Sequence, residues 1–575
     1  MKSIKRFFPI LEWLPTYRRS QLSGDVYAGV TVGVMLIPQG MAYALIAGLP
    51  PVYGLYAAIV PQIIYAILGT SRQLSVGSVA MDSLLVASGI AVFAEEGTDA
   101  YLGFAILLAF FVGLFQLLLG FFRMGFITNL LSKPVISGFT SAAAVIIALN
   151  QLKYLLGIEI EKSSTIYTLL WEAILHVNET HVVTLAIGTS GILIIRLAKS
   201  IHKNIPGALL VVMLGTLLVY LLKLDTHGVS IVRTVPEGLP AFKRPAFDLG
   251  MFHEVLPLAF TIAIVSFIEA FSIAKSIEVK KKTHRVRPNQ ELIALGAANL
   301  IGSFFQSYPV TGGFSRSAVN DQIGSHTPLS SMISALLVAL TLAFLTPLFY
   351  FLPHAVLASV VMVSVAGLLD WNYAKQLWHD NKVEFFLLLV TFLVTISINM
   401  VSGITTGILF SILILLYRAA YPHIARLGRL KGHHEFRNIT RFKDLETWDD
   451  LLILRIDASL TFINIQGVKA YIEGQTVENP TITKVIIDAG PISHLDATAI
   501  YGLRDLLTTL NERGVILLLC DIIGPVRDIM HRTGLTQTIG EEHLFLSLGE
   551  AVEYATGRDR GSYKEEALQS NYSGK

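Results

Sequence analysis

Long stretches with no charged side chain constrain this chain more than anything else in it. Residues 102–120, 330–353 and 385–417 each lack any Asp, Glu, Lys or Arg. A helix needs roughly 20 apolar residues to cross the hydrocarbon core of a bilayer, so the first two runs fit one span each. The third would be about 50 Å long as one helix at about 1.5 Å per residue, so it is expected to break at Asn399 to Gly403 into two spans. The chain is 53% hydrophobic and 15% charged, well below the roughly 25% charge of soluble domains. A polytopic α-helical membrane protein is the expectation.

The cations set the topology. Lys and Arg cluster at 2–19, around Arg72, at Arg123 and Lys133, at 196–203, at 280–287, at 375–382 and after Arg418. With 14 spans, every one of these falls on one side, which the positive-inside rule assigns to the cytoplasm together with both termini. The segment with Lys223, Arg233, Lys243 and Arg244 falls outside and departs from the pattern. A net charge of +2 gives no ground for nucleic-acid binding. Cys520 is the only cysteine, so no intramolecular disulfide can form. The first 20 residues carry charge and Pro15 without an apolar core, and no cleaved signal peptide is expected.

Hydropathy collapses near residue 420. Beyond it, strand-like Leu451–Ile456, Val485–Ile487 and Val515–Leu519 alternate with helix-like Ile465–Glu473, Ala497–Leu510 and a helix from Pro525, a βαβα succession. The expected organisation is an N-terminal segment 1–24, a membrane domain 25–420, a basic linker 421–440, an α/β domain 441–557 and a charged, disordered tail 558–575.

The membrane domain divides into halves that correspond in position, at about 25–223 and 254–420. The third span of the first half begins Ser75-Val76-Gly77-Ser78-Val79-Ala80. That of the second begins Val310-Thr311-Gly312-Gly313-Phe314-Ser315-Arg316. Seven spans per half is odd, so the halves enter the membrane in opposite senses, as an inverted repeat. Gly- and hydroxyl-rich backbone at matched positions points to interrupted helices whose N-termini lie at the bilayer midplane. Such ends attract anions through unpaired N–H groups and the helix dipole. The plainer alternative is that small residues merely let helices pack closely.

Arg316 follows the second glycine pair, and a guanidinium at that depth needs water or a partner. An oxyanion is such a partner; snorkelling to an interface is the alternative. Glu269 lies in the otherwise apolar stretch Leu256–Ala274. In a low dielectric the neutral form of a carboxyl is favoured, so it can carry a proton; a structural pairing with Lys275 or Arg316 is the alternative. Asp82 is a second buried acid, able to pair with Arg316 or to hold a cation. Gln39 and Tyr43, four apart, present an amide and a phenol on one helix face, for a polar cavity or for ordinary interhelix bonding. No HExxH, CxxC, Walker A or strand-linked GxGxxG sequence occurs, so neither an enzyme, a cofactor nor a metal site is expected.

The stretch Pro51-Val52-Tyr53-Gly54-Leu55-Tyr56-Ala57-Ala58, running on to Gly69-Thr70-Ser71-Arg72, closely resembles the signature of the SulP anion transporters, the sulfate permease family. Residues Ile37 to Ala44 and Ser315-Arg316-Ser317-Ala318 also match its landmarks, and the C-terminal region resembles a STAS domain. The resemblance implies core and gate domains of the uracil-transporter type, elevator-type alternating access and a homodimer. It places the anion between the third and tenth spans, in a pocket of Gln39, Tyr43, the backbone at Val79 and Ala80, Ser315 and Arg316. Ser78 stands where the family often has Pro. Glu269 matches the position of a glutamate in proton-coupled members and of an aspartate in a sodium-coupled one. Asp496 is followed by Ala497, where soluble STAS relatives carry a phosphorylated Ser.

The resulting expectation is a plasma-membrane or bacterial inner-membrane transporter for a small inorganic anion. Proton-coupled sulfate symport comes first, with Ser78, Val79, Ala80, Gly313, Phe314, Ser315 and Arg316 beside Gln39 and Tyr43 at the anion, and Glu269 and Asp82 for coupling. Sodium-coupled bicarbonate or dicarboxylate transport, an uncoupled channel, and a membrane-anchored scaffold recruiting cytosolic partners are the alternatives. Membrane lipids are the surrounding partners in each case.

Overall fold

The computed structural model describes residues 7–129, 132–158, 166–201, 207–233, 238–245, 252–281 and 284–557. It falls into two compact units, Met1–Ser411 and Ile412–Lys575. The expected disordered tail, 558–575, lies outside the described residues.

The first unit is helical. Among the described residues seven helices, the last of them Met400–Ala420, are long and apolar enough to cross a membrane, and shorter apolar helices of 10–17 residues accompany them. The elements that build the site are α1 (Arg19–Ile46), a two-residue strand β1 (Val76–Gly77), α2 (Ala80–Ile90), α3 (Asp99–Phe121), α4 (Phe252–Lys281), α5 (Pro288–Ser303), a second short strand β2 (Thr311–Gly312) and α6 (Phe314–Ile323). The apolar run at 385–417 breaks as expected, into helices Lys382–Ser397 and Met400–Ala420.

Close helix crossings explain the glycines. A Cβ on Gly29 would lie 2.6 Å from the Ser330 carbonyl oxygen, and one on Gly33 would lie 2.9 Å from a Leu337 methyl, so α1 seats its small face on the helix Leu329–Phe344. A Cβ on Gly54 would overlap the Gly40 carbonyl, which ties the Pro51–Tyr56 turn to α1. Gly113 of α3 and Gly296 of α5 meet the same way: a Cβ on Gly113 would stand 2.7 Å from the Gly296 oxygen, and one on Gly296 2.8 Å from that of Gly113.

Glu291, fully buried on α5, organises the end of the signature stretch. It accepts hydrogen bonds from the Tyr65 hydroxyl (2.6 Å), the Thr70 N–H (2.7 Å), the Ser71 N–H (3.2 Å) and the Thr70 hydroxyl. A buried carboxylate is tolerated when donors surround it in this way. Asp25, also fully buried, accepts from the His326 and Thr327 N–H groups at 2.7 and 3.0 Å. Each half thus supplies an acid that ties down a loop on the other half.

The second unit is an α/β domain. Its strands are β3 (Ile424–Leu430), β4 (Phe436–Asn438), β5 (Leu445–Glu446), β6 (Leu451–Ile456), β7 (Lys484–Asp488), β8 (Ile516–Cys520) and β9 (Leu544–Phe545), in the order β4-β3-β6-β7-β8-β9 with β5 paired to β3. Strands β6 to β9 are parallel, and β3 lies antiparallel to β6. Alternation places Leu452, Leu454 and Ile456 in one core and Leu451 and Ile453 in another, so both faces of the sheet are covered. Residues 421–440, expected as a linker, instead supply β3 and β4. Their basic, polar composition belongs to a sheet edge with Arg426 between the buried Ala425 and Leu427 and Arg429 two residues beyond, a pattern too short to stand out. Helix α7 (Ala497–Glu512) is capped by Asp496, which accepts from the Ala499 and Phe462 N–H groups at 2.8 and 2.7 Å.

Candidate functional site

The two glycine-containing segments meet. Strands β1 and β2 pair antiparallel, Val76 opposite Gly312 and Gly77 opposite Thr311. Gly313 N–H donates to the Ser75 carbonyl, and Ser75 N–H donates to the Ser317 hydroxyl, each at 3.0 Å. Beyond the pairing each chain turns directly into a helix, α2 from the N-cap Val79 and α6 from the N-cap Gly313, and neither N-cap side chain makes a capping bond. The first helical donors with backbone acceptors are Ser83 N–H to Val79 and Ser317 N–H to Gly313. The N–H groups ahead of them, at Ala80, Met81 and Asp82 and at Phe314, Ser315 and Arg316, have no intrahelical acceptor. Two helix N-termini with free donors thus start side by side in the interior of the unit.

Arg316 is 1% exposed on the first turn of α6. Its guanidinium lies against glycine backbone on both strands: a Cβ on Gly313 would stand 2.7 Å from its Cζ and one on Gly77 3.4 Å from its Nη2. The buried Nε and Nη2 have no hydrogen-bond partner, and among the described residues Arg316 forms no ion pair. Its electrostatic neighbours are Tyr43, Tyr308 and Glu269. Asp321, close in sequence, pairs with Lys281 at 2.9 Å instead.

Gln39 and Tyr43 are buried on α1, and the Gln39 Oε1 is unpaired. Ser78, Val79 and Ala80 are buried at the start of α2, and the Ser78 hydroxyl has no partner. Gly313 is buried, whereas Phe314, at 60% exposure, and Ser315 face open space. Phe314, Met81, Phe139 and Glu269 line one cavity of about 160 Å3. The Glu269 Oε2 has no partner, and both Asp82 oxygens are buried without one. The two acids are electrostatic neighbours of each other. Lys275, the alternative partner for Glu269, pairs with Glu278 at 2.8 Å.

A polar frame holds this arrangement in place. Asn299 on α5 accepts from Val310 N–H (2.8 Å), and its amide donates to the Val310 carbonyl (3.0 Å) and to the Gln116 Oε1 (3.1 Å). Gln116 on α3 donates in turn to Ser266 Oγ of α4 (2.9 Å), and Thr311 Oγ1 donates to the Ser266 carbonyl (2.6 Å). Tyr308, buried beside Arg316, shares a 3.1 Å hydrogen bond with Ser83. Sequence reasoning passed over Tyr308, Asn299 and Glu291. Glu291 was findable by the criterion that singled out Glu269, a carboxylate in an apolar helix; nothing local marks Tyr308 or Asn299.

An acceptor-only oxyanion matches unpaired N–H donors on two helix ends plus an unpaired guanidinium, since every such group donates. The adjoining unpaired carboxyl groups suit protons or a small cation.

Residues 22–391 match the sulfate permease family, and residues 443–551 match the STAS domain. The chain is 35% identical over 570 residues to "Sulfate transporter 4.1, chloroplastic" of Arabidopsis thaliana, covering 96% of this chain and 82% of that one. It superimposes with a TM-score of 0.90 on murine solute carrier 26 family member A9, an anion transporter in an inward-facing state, at 25% identity over 97% of this chain and 95% of the other. The transmembrane domain of a cyanobacterial bicarbonate transporter, BicA, aligns with a TM-score of 0.60 and 23% identity over 69% of this chain and 98% of its own.

Proposed function

This chain belongs to the sulfate permease family, and we propose that it is a proton-coupled sulfate symporter working by elevator-type alternating access. It is a multi-pass membrane transporter with a C-terminal STAS domain. The observation that carries the sulfate reading is the pair of uncapped, buried helix N-termini joined by β1 and β2, with the unpaired Arg316 guanidinium beside them. Sulfate accepts hydrogen bonds from all sides, and Gly77 and Gly313 let it approach backbone and guanidinium together. In this reading Tyr43, an electrostatic neighbour of Arg316, and Gln39 complete the pocket from α1, with Ser78, Val79, Ala80, Phe314 and Ser315 at the two helix ends.

The coupling reading rests on Glu269. A carboxyl with an unpaired oxygen in the cavity beside Phe314 can release a proton when the pocket faces one side and regain it on the other. Asn299, Gln116, Ser266 and Thr311 bind α3, α4, α5 and β2 to one another and β1 pairs with β2, which supports a mechanism in which both helix ends and Glu269 travel as one body. That is what an elevator requires. A homodimer in the plasma membrane or bacterial inner membrane, with both termini and the STAS domain in the cytoplasm, completes the proposal.

Proteoliposomes test it. Sulfate uptake should accelerate under an inward proton gradient, and Glu269→Gln should remove at least tenfold of that acceleration while sulfate binding persists. Uptake indifferent to the gradient would sink the coupling. A second reading, sodium-coupled bicarbonate transport, draws on Asp82: two neighbouring carboxyl groups with unpaired oxygens can hold a sodium ion. Sodium-dependent uptake of labelled bicarbonate, lost in Asp82→Asn, would decide for it; organic dicarboxylates belong in the same competition panel.

A further inference from the structure

A second polar cavity lies away from the transport site. It has a volume of about 250 Å3 and is lined by Glu12, Trp13, Arg72, His284, Arg285 and Arg287, with Thr70 at its edge. Both basic clusters that meet here, at Arg72 and at 280–287, lie on the side that the positive-inside rule makes cytoplasmic. Topology explains the number of charges. It does not explain why they enclose a cavity.

The charge of this cavity is not balanced. Arg287 pairs with Glu12 at 3.3 Å, which occupies the one acid in the lining. Arg72 and Arg285 form no ion pair or hydrogen bond among the described residues. Trp13 is 5% exposed, and its indole N–H is buried with no acceptor. His284 is pushed down to about 4, by burial first and by Arg72 second, so at neutral pH it adds no further positive charge. The lining therefore turns donors and positive charge toward the cavity, the complement of an acceptor-rich anion.

We propose that this cavity binds a phosphate group, held by the Arg72 and Arg285 guanidinium groups beside the Trp13 ring, and that the phosphate belongs to the headgroup of an anionic lipid. Arginine suits phosphate because its planar fork meets two oxygens at once. Tryptophan is enriched at the level of lipid headgroups, and basic pockets against membrane helices on the cytoplasmic side fit anionic headgroups. The cavity joins the N-terminal helix Ile10–Trp13, the end of the signature stretch and the loop before α5, and Arg287 N–H ties the last two by donating to the Thr70 hydroxyl at 3.1 Å. Occupancy would therefore fasten the N-terminal segment to the body that carries the transport site.

The test uses the full-length protein in detergent, titrated with dioctanoyl phosphatidic acid and separately with inorganic phosphate, with the melting temperature as readout. Saturable stabilisation of the wild type is expected. In Arg72→Gln/Arg285→Gln the apparent affinity should fall at least tenfold. Arg72→Lys, which keeps the charge and removes the planar fork, should weaken binding several-fold and keeps the test decisive if the double variant fails to fold. A response to the lipid alone supports a headgroup, and an equal, variant-sensitive response to inorganic phosphate assigns the same site to free phosphate. Wild-type affinity in both variants, or no response of the wild type to either probe, overturns the proposal.

Discussion

Replacing Gly313 by Ala is the sharpest probe of how the site holds an anion. Gly313 has φ −90° and ψ 125°, which alanine adopts without strain, and its N–H bond to Ser75 is a backbone interaction that survives the change. The new methyl would stand 2.7 Å from the Arg316 Cζ and Nη2, against 3.4–4 Å for ordinary contact, so the guanidinium must retreat by about 1 Å. The interaction of one positive charge with a dianion scales as roughly 2 × 332/(ε·r) kcal/mol. At an effective dielectric of about 20, withdrawal from about 4 Å to about 5 Å loses about 1.7 kcal/mol. That is a fifteen- to twenty-fold rise in the sulfate dissociation constant, at about 1.4 kcal/mol per tenfold. The helix ends remain, so binding weakens and does not vanish. Radiolabelled sulfate binding and the KM for uptake in proteoliposomes measure the effect. Melting temperature is the control, and should hold near the wild-type value because the backbone suits alanine and only the end of a flexible side chain is displaced. A dissociation constant within twofold of wild type, in a protein that melts normally, would refute the placement of Arg316 at the anion.

Other residues give equally direct tests. Glu291→Ala strands the N–H groups of Thr70 and Ser71 and the Tyr65 hydroxyl without their acceptor, and should cost about 3–5 kcal/mol of stability, seen as early melting in detergent. His284, pushed down to about 4 from an ordinary value near 6.5, is protonated more readily in the unfolded chain; its contribution to stability is present above about 6.5 and is lost as the pH falls toward 4. His284→Gln should therefore flatten the melting temperature across that window. Cys520 is fully buried, and burial, followed by Asp488 and Asp521, pushes its thiol up. It should resist maleimide in the native protein and react fully once denatured.

The sequence revealed elements whose signal is local. Uncharged runs mark membrane helices, short continuous apolar runs mark β6 to β8, whose two faces are both covered, and the Gly-rich starts at 75–80 and 310–316 mark the interrupted helices. Arg316 and Glu269 stood out because charge is costly in an apolar segment. Hidden were the features that depend on partners distant in sequence. The Tyr308 hydroxyl acquires meaning only from Ser83, some 225 positions away, and Asn299 only from Gln116 and the Val310 backbone. The strands of 421–440 were hidden for the same reason, since β3 is defined by its pairing with β6.

The small ladder between β1 and β2 has a thermodynamic consequence. Two residues of each half are stitched together at the point where both helices begin, so the donors cannot be spread apart to let an ion out. On the proposed alternating access, the pocket would present the same two sets of N–H groups at the same spacing to either compartment. A carrier with such a fixed cradle has nearly equal intrinsic affinity on its two sides. On the proposed coupled mechanism, the direction of net flow would then be set by the concentrations of anion and coupling ion across the membrane, and the same molecule would run backwards when they reverse.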